Sequence, residues 1–342
     1  MNIVSPDFVK QKKVLLRFDI DVPIKNGKVV EDFRLKAGLP TLKLCLENAA
    51  QVILMGHVGR PVREDPQFSV APIYEWLITQ GFQEVLESKK LRLLENLRFE
   101  KGEDEANLDY AKELAVLGDS PPASRQGGYG EAGVFVNESF AAYHTAASTT
   151  ILPTLLPHAA GLRFAEEVRV LHELRDNPKH PFVAIMGGAK VDDKLPVIKV
   201  LAILADAVVV GGKLPHEIKD QNINLPDNVL VGTLNEERTD ITKETRESWR
   251  KMIEEANMIV WNGPLGKFED PQNNETQKIA ELILNSKAKV IIGGGETISA
   301  LSEYQLLDRF LSQPDKFFAS TGGGAMLEYI CKGALPTIEA LD

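Results

Sequence analysis

Short apolar runs rich in β-branched residues alternate with amphipathic stretches along the whole chain. The runs cover residues 14–18, 51–55, 91–94 and 134–136, then 182–185, 207–210, 229–231, 258–261 and 290–292. They are apolar at successive rather than alternate positions, which predicts strands buried on both faces, as in a parallel sheet. Between them, apolar residues recur at helical spacing over 37–47, 109–117, 193–204, 242–256 and 274–285. This βαβα order, met twice, predicts an α/β protein with two Rossmann-like parallel sheets and crossover helices. The stretch EEVRVLHELRDN, residues 166–177, is a charged helical pattern followed by Pro178 and Pro181, and is expected to join the halves as a stiff linker. The Gly/Ser/Pro-rich segment 120–133, SPPASRQGGYGEAG, breaks the pattern and predicts a surface loop.

Composition narrows the class. With 342 residues, 44% hydrophobic and 26% charged, the chain is of globular type with room for two domains. Its 49 acidic residues outnumber 39 basic ones, a net charge of −10 that argues against a nucleic-acid partner but leaves room for a locally basic pocket. Cys45 and Cys331 match no metal-ligand spacing and predict buried thiols in a reducing cytoplasm. The first residues, MNIVSPDFVKQKK, lack the apolar core of a secretory leader, and no run approaches the roughly 18 apolar residues of a membrane span. A cytoplasmic protein without a membrane partner is expected.

The two halves carry different chemistry. In the first, Arg34, His57, Arg60 and Arg98 stand at or just after strand ends or helix starts. In a parallel sheet such positions converge on the crevice at the carboxyl edge, and guanidinium forks there suit phosphate and carboxylate groups. The acids of RFDIDVP, Asp19 and Asp21, stand at the end of the first strand, where spacing alone leaves metal site, catalytic pair and solvated strand end all open. In the second half, glycine runs follow predicted strands: Gly187 and Gly188, Gly211 and Gly212, Gly293 to Gly295, and Gly322 to Gly324. Each lets backbone N–H groups approach a phosphate, best where a helix begins. One run alone is as well read as a turn; four of them, with Lys190 and Lys194 after the first, predict a phosphate cradle. Neither GxxxxGK[ST] nor GxGxxG is present, so a nicotinamide-dependent oxidoreductase fits poorly. Glu296, directly after Gly295, is a candidate for Mg²⁺ or for capping the next helix.

Taken in order, RFDIDVP, FRLKAGLPT, MGHVGRP, LLENLRFEKGE, FVNESF, PFVAIMGGAKVDDK, IVWNGPLGKFE, IIGGGET, STGGGAMLE and LPTIEAL resemble the phosphoglycerate kinase family, from about Lys13 to Asp342. The resemblance implies a monomeric glycolytic transferase that moves a phosphoryl group reversibly between ATP and 3-phosphoglycerate, with Mg²⁺ and a closing hinge. It implies a 3-phosphoglycerate domain over residues 1–165, with the tail 335–342 packing back on it, and a nucleotide domain over 166–334 that includes the linker helix. Carried over by position, Asp19, Asp21, Arg34, His57, Arg60 and Arg98 would line the phosphoglycerate site. Arg34, Lys194, Gly323 and Gly324 would act on the transferring group. Lys190, Lys194, Gly293, Gly294, Gly295 and Glu296 would meet the nucleotide phosphates, Gly212, Asn262 and Thr297 would bind the nucleotide, Glu269 its ribose, and Glu296 the metal.

The chain departs from the family pattern at four places. Asp21 stands where the family usually has asparagine, exchanging an amide donor for an acceptor-only carboxylate unless one acid of the pair is protonated. In AAYHTAAST, His144 or Thr145 takes the place of a substrate-binding arginine. Glu296 replaces an aspartate at the metal position, and sequence is missing between Pro61 and Leu91 and between Gly212 and Trp261. These departures keep a second expectation in play, a weak or inactive relative that binds a phosphorylated ligand or nucleotide.

Overall fold

The computed structural model describes residues 1–118 and 133–342, so the loop expected at 120–133 lies outside the described residues except for Gly133. The described chain divides into two compact units, Met1–Arg169 with Ala334–Asp342, and Val170–Gly333. Each is an α/β unit built on a parallel sheet, as the apolar runs predict.

The first unit contains β1 (Lys13–Arg17), β2 (Ile24–Lys25), β3 (Lys28–Val29), β4 (Gln51–Met55), β5 (Leu91–Leu93), β6 (Val134–Asn137) and β7 (His158–Ala160). Its parallel sheet has the order β5-β4-β1-β6-β7, while β2 and β3 form a separate antiparallel hairpin. Val14, Leu16, Val52, Leu54, Val134 and Val136 are fully buried in this sheet, which is why these strands read as continuous apolar runs. The second unit contains β8 (Phe182–Met186), β9 (Ala207–Val210), β10 (Val229–Val231), β11 (Met258–Asn262), β12 (Lys289–Gly293) and β13 (Phe317–Ala319), in the order β10-β9-β8-β11-β12-β13.

The charged helix spans Leu162–Asp176, starting four residues before the sequence pattern indicates. Side chains of the first unit explain its early start. Leu162 N–H donates to Thr41 Oγ1 at 2.9 Å, Arg163 N–H to Glu138 Oε1 at 3.1 Å and Phe164 N–H to Glu138 Oε2 at 3.2 Å. Three donors that a helix start leaves unpaired are thereby satisfied. The boundary between the units falls inside this helix, at Arg169 and Val170. No helix among the described residues is long and apolar enough to cross a membrane.

The segment Ala334–Asp342 belongs to the first unit, where Leu335 and Leu341 are buried and the helix Pro336–Glu339 packs on the π-helical turn Ala147–Ile151. Removing residues 334–342 strips two buried leucines from that unit. The truncated chain is expected to lose about 3 kcal/mol or more of first-unit stability, seen as a lower urea midpoint for that unit alone.

Candidate functional site

In each unit the chain runs outward from a central strand and then returns to build the other side. It goes β1, β4, β5 and then β6, β7 in the first, and β8, β9, β10 and then β11, β12, β13 in the second. Such a reversal leaves a crevice outside the carboxyl ends of the two strands where direction changes. Those strands are β1 and β6 in the first unit, and β8 and β11 in the second.

The first crevice is organised by a residue that pattern reading passes over, Arg17. It closes β1 and is only 1% exposed, so its guanidinium needs partners inside the protein. Nη1 donates to Phe18 O at 3.0 Å, Nε to Ser148 Oγ at 3.0 Å, and Nη2 meets His57 Nδ1 at 2.6 Å. Ser148 in turn donates its hydroxyl to Glu103 Oε1 and its N–H to Glu103 Oε2 at 3.0 Å. Since arginine only donates, His57 Nδ1 must accept, and the ring carries its proton on Nε2. Burial, then Arg17, Arg98, Arg34 and Arg60, hold the His57 pKa well below its ordinary value. The imidazole is therefore neutral and offers an Nε2–H donor among arginines.

The remaining walls come from loops at the same edge. Arg34, in the first turn of the helix Phe33–Asn48, donates to Asp21 O at 2.9 Å and lies 3.7 Å from Asp19 Oδ1. Arg98 sits in a 3₁₀ turn capped by Asn96 and donates to Gly59 O at 2.8 Å and to Asp104 Oδ1 at 3.0 Å. Arg60 is exposed and reaches the cluster through its field on His57.

The two acids of the first strand end are not alike. Asp21 Oδ1 accepts the Gly59 N–H at 2.9 Å, and its Oδ2 lies 3.9 Å from His57 Nε2. Asp19 is buried, and burial, with the Asp21 charge adding to it, raises its pKa against the pull of Arg34 and Arg17. Asp19 Oδ2 has no hydrogen-bond partner among the described residues, an orphan acceptor facing a crevice of donors. His144 and Thr145 are exposed beyond β6, with the His144 ring against Tyr143 at 4.0 Å.

The second crevice is built by backbone approach. Gly187 N–H donates to Asn262 O at 2.9 Å and Gly188 N–H to Pro264 O at 3.1 Å, binding the ends of β8 and β11 together. A Cβ on Gly187 would strike the carbonyls of Gly263 and Pro264, and one on Gly323 the backbone of Gly294, so only glycine fits where these turns cross. A cavity of about 300 Å³ opens between the turns, lined by Gly187, Gly188, Lys190, Lys194, Asn262, Gly263 and the helix start Gly294 to Thr297. Lys194 Nζ donates to Asn262 Oδ1, while Asn262 Nδ2 is buried without a partner among the described residues. Thr297 Oγ1 is occupied within the protein, accepting from Gly263 N–H at 2.7 Å and donating to Gly293 O at 2.9 Å, so it ties β11 to β12.

A second cavity of about 260 Å³ adjoins the first and shares Gly188, Ala189 and Glu296 with it. Gly212, Pro264, Phe268 and Glu269 line it, as do Lys213, Arg238 and Lys267, which sequence reasoning did not single out. Gly323 and Gly324 open the helix Gly323–Lys332 after β13, with their turn against Gly294. Glu296 lies in the first turn of the helix Gly295–Glu303 and faces both cavities.

The family model described as phosphoglycerate kinase matches residues 5–221 and 220–332. A phosphoglycerate kinase of Finegoldia magna is 32% identical, over 98% of this chain and 97% of its own. That alignment takes 403 positions, more than this chain has residues. One of Desulfovibrio desulfuricans is 33% identical, over 97% and 96%. Among solved structures, phosphoglycerate kinase from Coxiella burnetii superposes with a TM-score of 0.76 at 28% identity, covering 97% of this chain and 96% of its own. The enzyme from Pyrococcus horikoshii gives 0.80 at 25% identity, covering 100% and 98%.

Because His57 is held neutral, its folded pKa lies below the 6.5 of an unfolded histidine, and the unfolded chain binds the proton first. Stability of the first unit is expected to fall as pH drops below about 6.5, and to be level above it as far as His57 contributes. Denaturant titrations across pH 5 to 8 should show this slope reduced in His57→Gln.

Proposed function

The chain belongs to the phosphoglycerate kinase family, and we propose that it transfers a phosphoryl group reversibly between ATP and 3-phosphoglycerate, giving ADP and 1,3-bisphosphoglycerate. One observation carries the reading most. A single chain pairs a crevice of four arginines around a neutral histidine, with the orphan acceptor Asp19 Oδ2 in it, with a glycine-lined cavity holding Lys190 and Lys194. The first suits a hydroxylated phospho-acid, the second a nucleotide's phosphates.

In this proposal Asp19 Oδ2 accepts a hydrogen bond from the substrate hydroxyl. Arg60, Arg98 and the His57 Nε2–H hold its phosphate and carboxylate. Arg34 neutralises charge on the phosphoryl group in transit, with Lys194 and the backbone N–H groups of Gly323 and Gly324 on the nucleotide side. No side chain attacks the phosphorus; the substrate carboxylate oxygen does, and ADP leaves. Glu269 accepts from the ribose hydroxyls. Mg²⁺ fits Glu296, because that ion is commonly held by one or two carboxylates with phosphate oxygens and waters completing its shell. Bound there, it would offset charge on the nucleotide phosphates. Closure of a hinge at the helix Leu162–Asp176, which carries residues of both units, would align the substrates and exclude water. The protein would work as a cytoplasmic monomer, without nucleic-acid or membrane partners.

A coupled assay with 3-phosphoglycerate, ATP and Mg²⁺ tests the proposal. Arg34→Ala is expected to lower kcat by about a thousandfold. Wild-type turnover no greater than that of the variant would sink the kinase reading and leave the weak-relative alternative. Asp21→Asn keeps an acceptor for Gly59 N–H but removes one negative charge from beside a trianionic substrate. It is expected to lower KM for 3-phosphoglycerate about fivefold at low salt, with kcat little changed.

A further inference from the structure

The cavity beside the phosphate cradle carries three exposed cationic side chains to which the proposed transfer gives no role. Lys213, Arg238 and Lys267 stand around an apolar lining that includes Pro264 and Phe268. Arg238 is held there by two independent features. Its backbone lies in the left-handed region at φ 57°, in a turn closed by its N–H to Asn235 O at 3.0 Å. Its Nη1 meets His216 Nε2 at 2.9 Å, and His216 Nδ1 lies 3.2 Å from Asp220 Oδ2. As arginine only donates, His216 Nε2 accepts and its Nδ1–H points to Asp220, a surface relay that engages one guanidinium nitrogen of the exposed Arg238 at the cavity rim.

We infer that Arg238 selects the base of the bound nucleotide and favours a purine with oxygen at position six, guanine or hypoxanthine, over adenine. The inference rests on reading this cavity as the nucleoside end of the kinase site. A guanidinium presents parallel N–H donors, and a 6-oxopurine presents two acceptors, O6 and N7, on one edge at the spacing such a fork meets. Adenine places an amino donor where O6 would be, so a donor faces a donor and both lose their water. Lys213 and Lys267 add donors only, and the carboxylates of the lining, Glu269 and Glu296, are those the proposed function assigns to the ribose and the metal. Phe268 and Pro264 offer apolar surface to the face of a base and nothing to a bare phosphate chain.

The test compares kcat/KM for ITP, GTP and ATP, each with 3-phosphoglycerate and Mg²⁺, in the wild type, Arg238→Gln and Arg238→Lys. In the wild type ITP and GTP should exceed ATP by about tenfold or more. Arg238→Gln, whose amide can both donate and accept, should bring the ratio close to one, and Arg238→Lys should keep part of it. ATP used as well as ITP and GTP by the wild type, or a ratio unmoved in Arg238→Gln, would overturn the inference and leave the kinase reading standing. Inorganic tripolyphosphate competing as strongly as GDP would overturn it too, by showing that the cavity takes a phosphate chain. If no nucleoside triphosphate turns over, the kinase reading fails, and calorimetric titration of the wild type with IDP, GDP and ADP still decides the base. Melting temperatures of both variants separate recognition from folding, and the wild-type titration decides without them.

Discussion

A guanidinium buried at the end of a central strand has to be partnered on every side, and that constraint organises the first unit. Arg17 cannot lose its proton, and its burial is tolerated because Phe18 O, Ser148 Oγ and His57 Nδ1 take its hydrogen bonds while Glu103, Asp19 and Asp21 supply opposing charge. Each partner is thereby placed. His57 acquires one tautomer and one ring orientation, Ser148 ties the π-helical turn to the end of β1, and Glu103 is buried against it. The crevice that faces outward is the visible side of a network whose anchor lies below it.

The second unit reaches the same end by the opposite means, removing side chains rather than packing charged ones. Gly187, Gly263, Gly294 and Gly323 allow the turns after β8, β11, β12 and β13 to touch backbone to backbone, and Thr297 ties two of them together. Cations then enter from the rim, at Lys190 and Lys194 on one cavity and at Lys213, Arg238 and Lys267 on the other. A chain with a net charge of −10 thus concentrates positive potential where low-dielectric walls make it most effective.

Strands rich in Val, Ile and Leu were legible because burial on both faces writes an unbroken apolar run. β7, His158–Ala160, and β13, Phe317–Ala319, were not, being three residues each at sheet edges and without a β-branched residue. The helices Gly295–Glu303 and Gly323–Lys332 begin inside glycine runs, where the local pattern does not fix the first turn; at Gly323 the backbone of Gly294 comes too close for any side chain. Arg34, His57, Arg60 and Arg98 could be picked out because each follows a predicted strand or opens a helix. Arg17 could not, since it lies within an apolar run and only packing reveals what it holds. Arg238 was hidden for another reason: the contact with His216 joins residues 22 positions apart through a turn that no local pattern marks.

The assignment of Ala334–Asp342 to the first unit makes that unit discontinuous in sequence, with all of Val170–Gly333 inserted before its closing segment. During synthesis from the N-terminus, the inserted unit is complete while the first still waits for Leu335 and Leu341 to cover its core. The first unit is therefore begun first and completed last. A chain ending at Gly333 would hold every residue of the second unit but would leave the first without Leu335 and Leu341, so the apolar surface those leucines cover would face solvent.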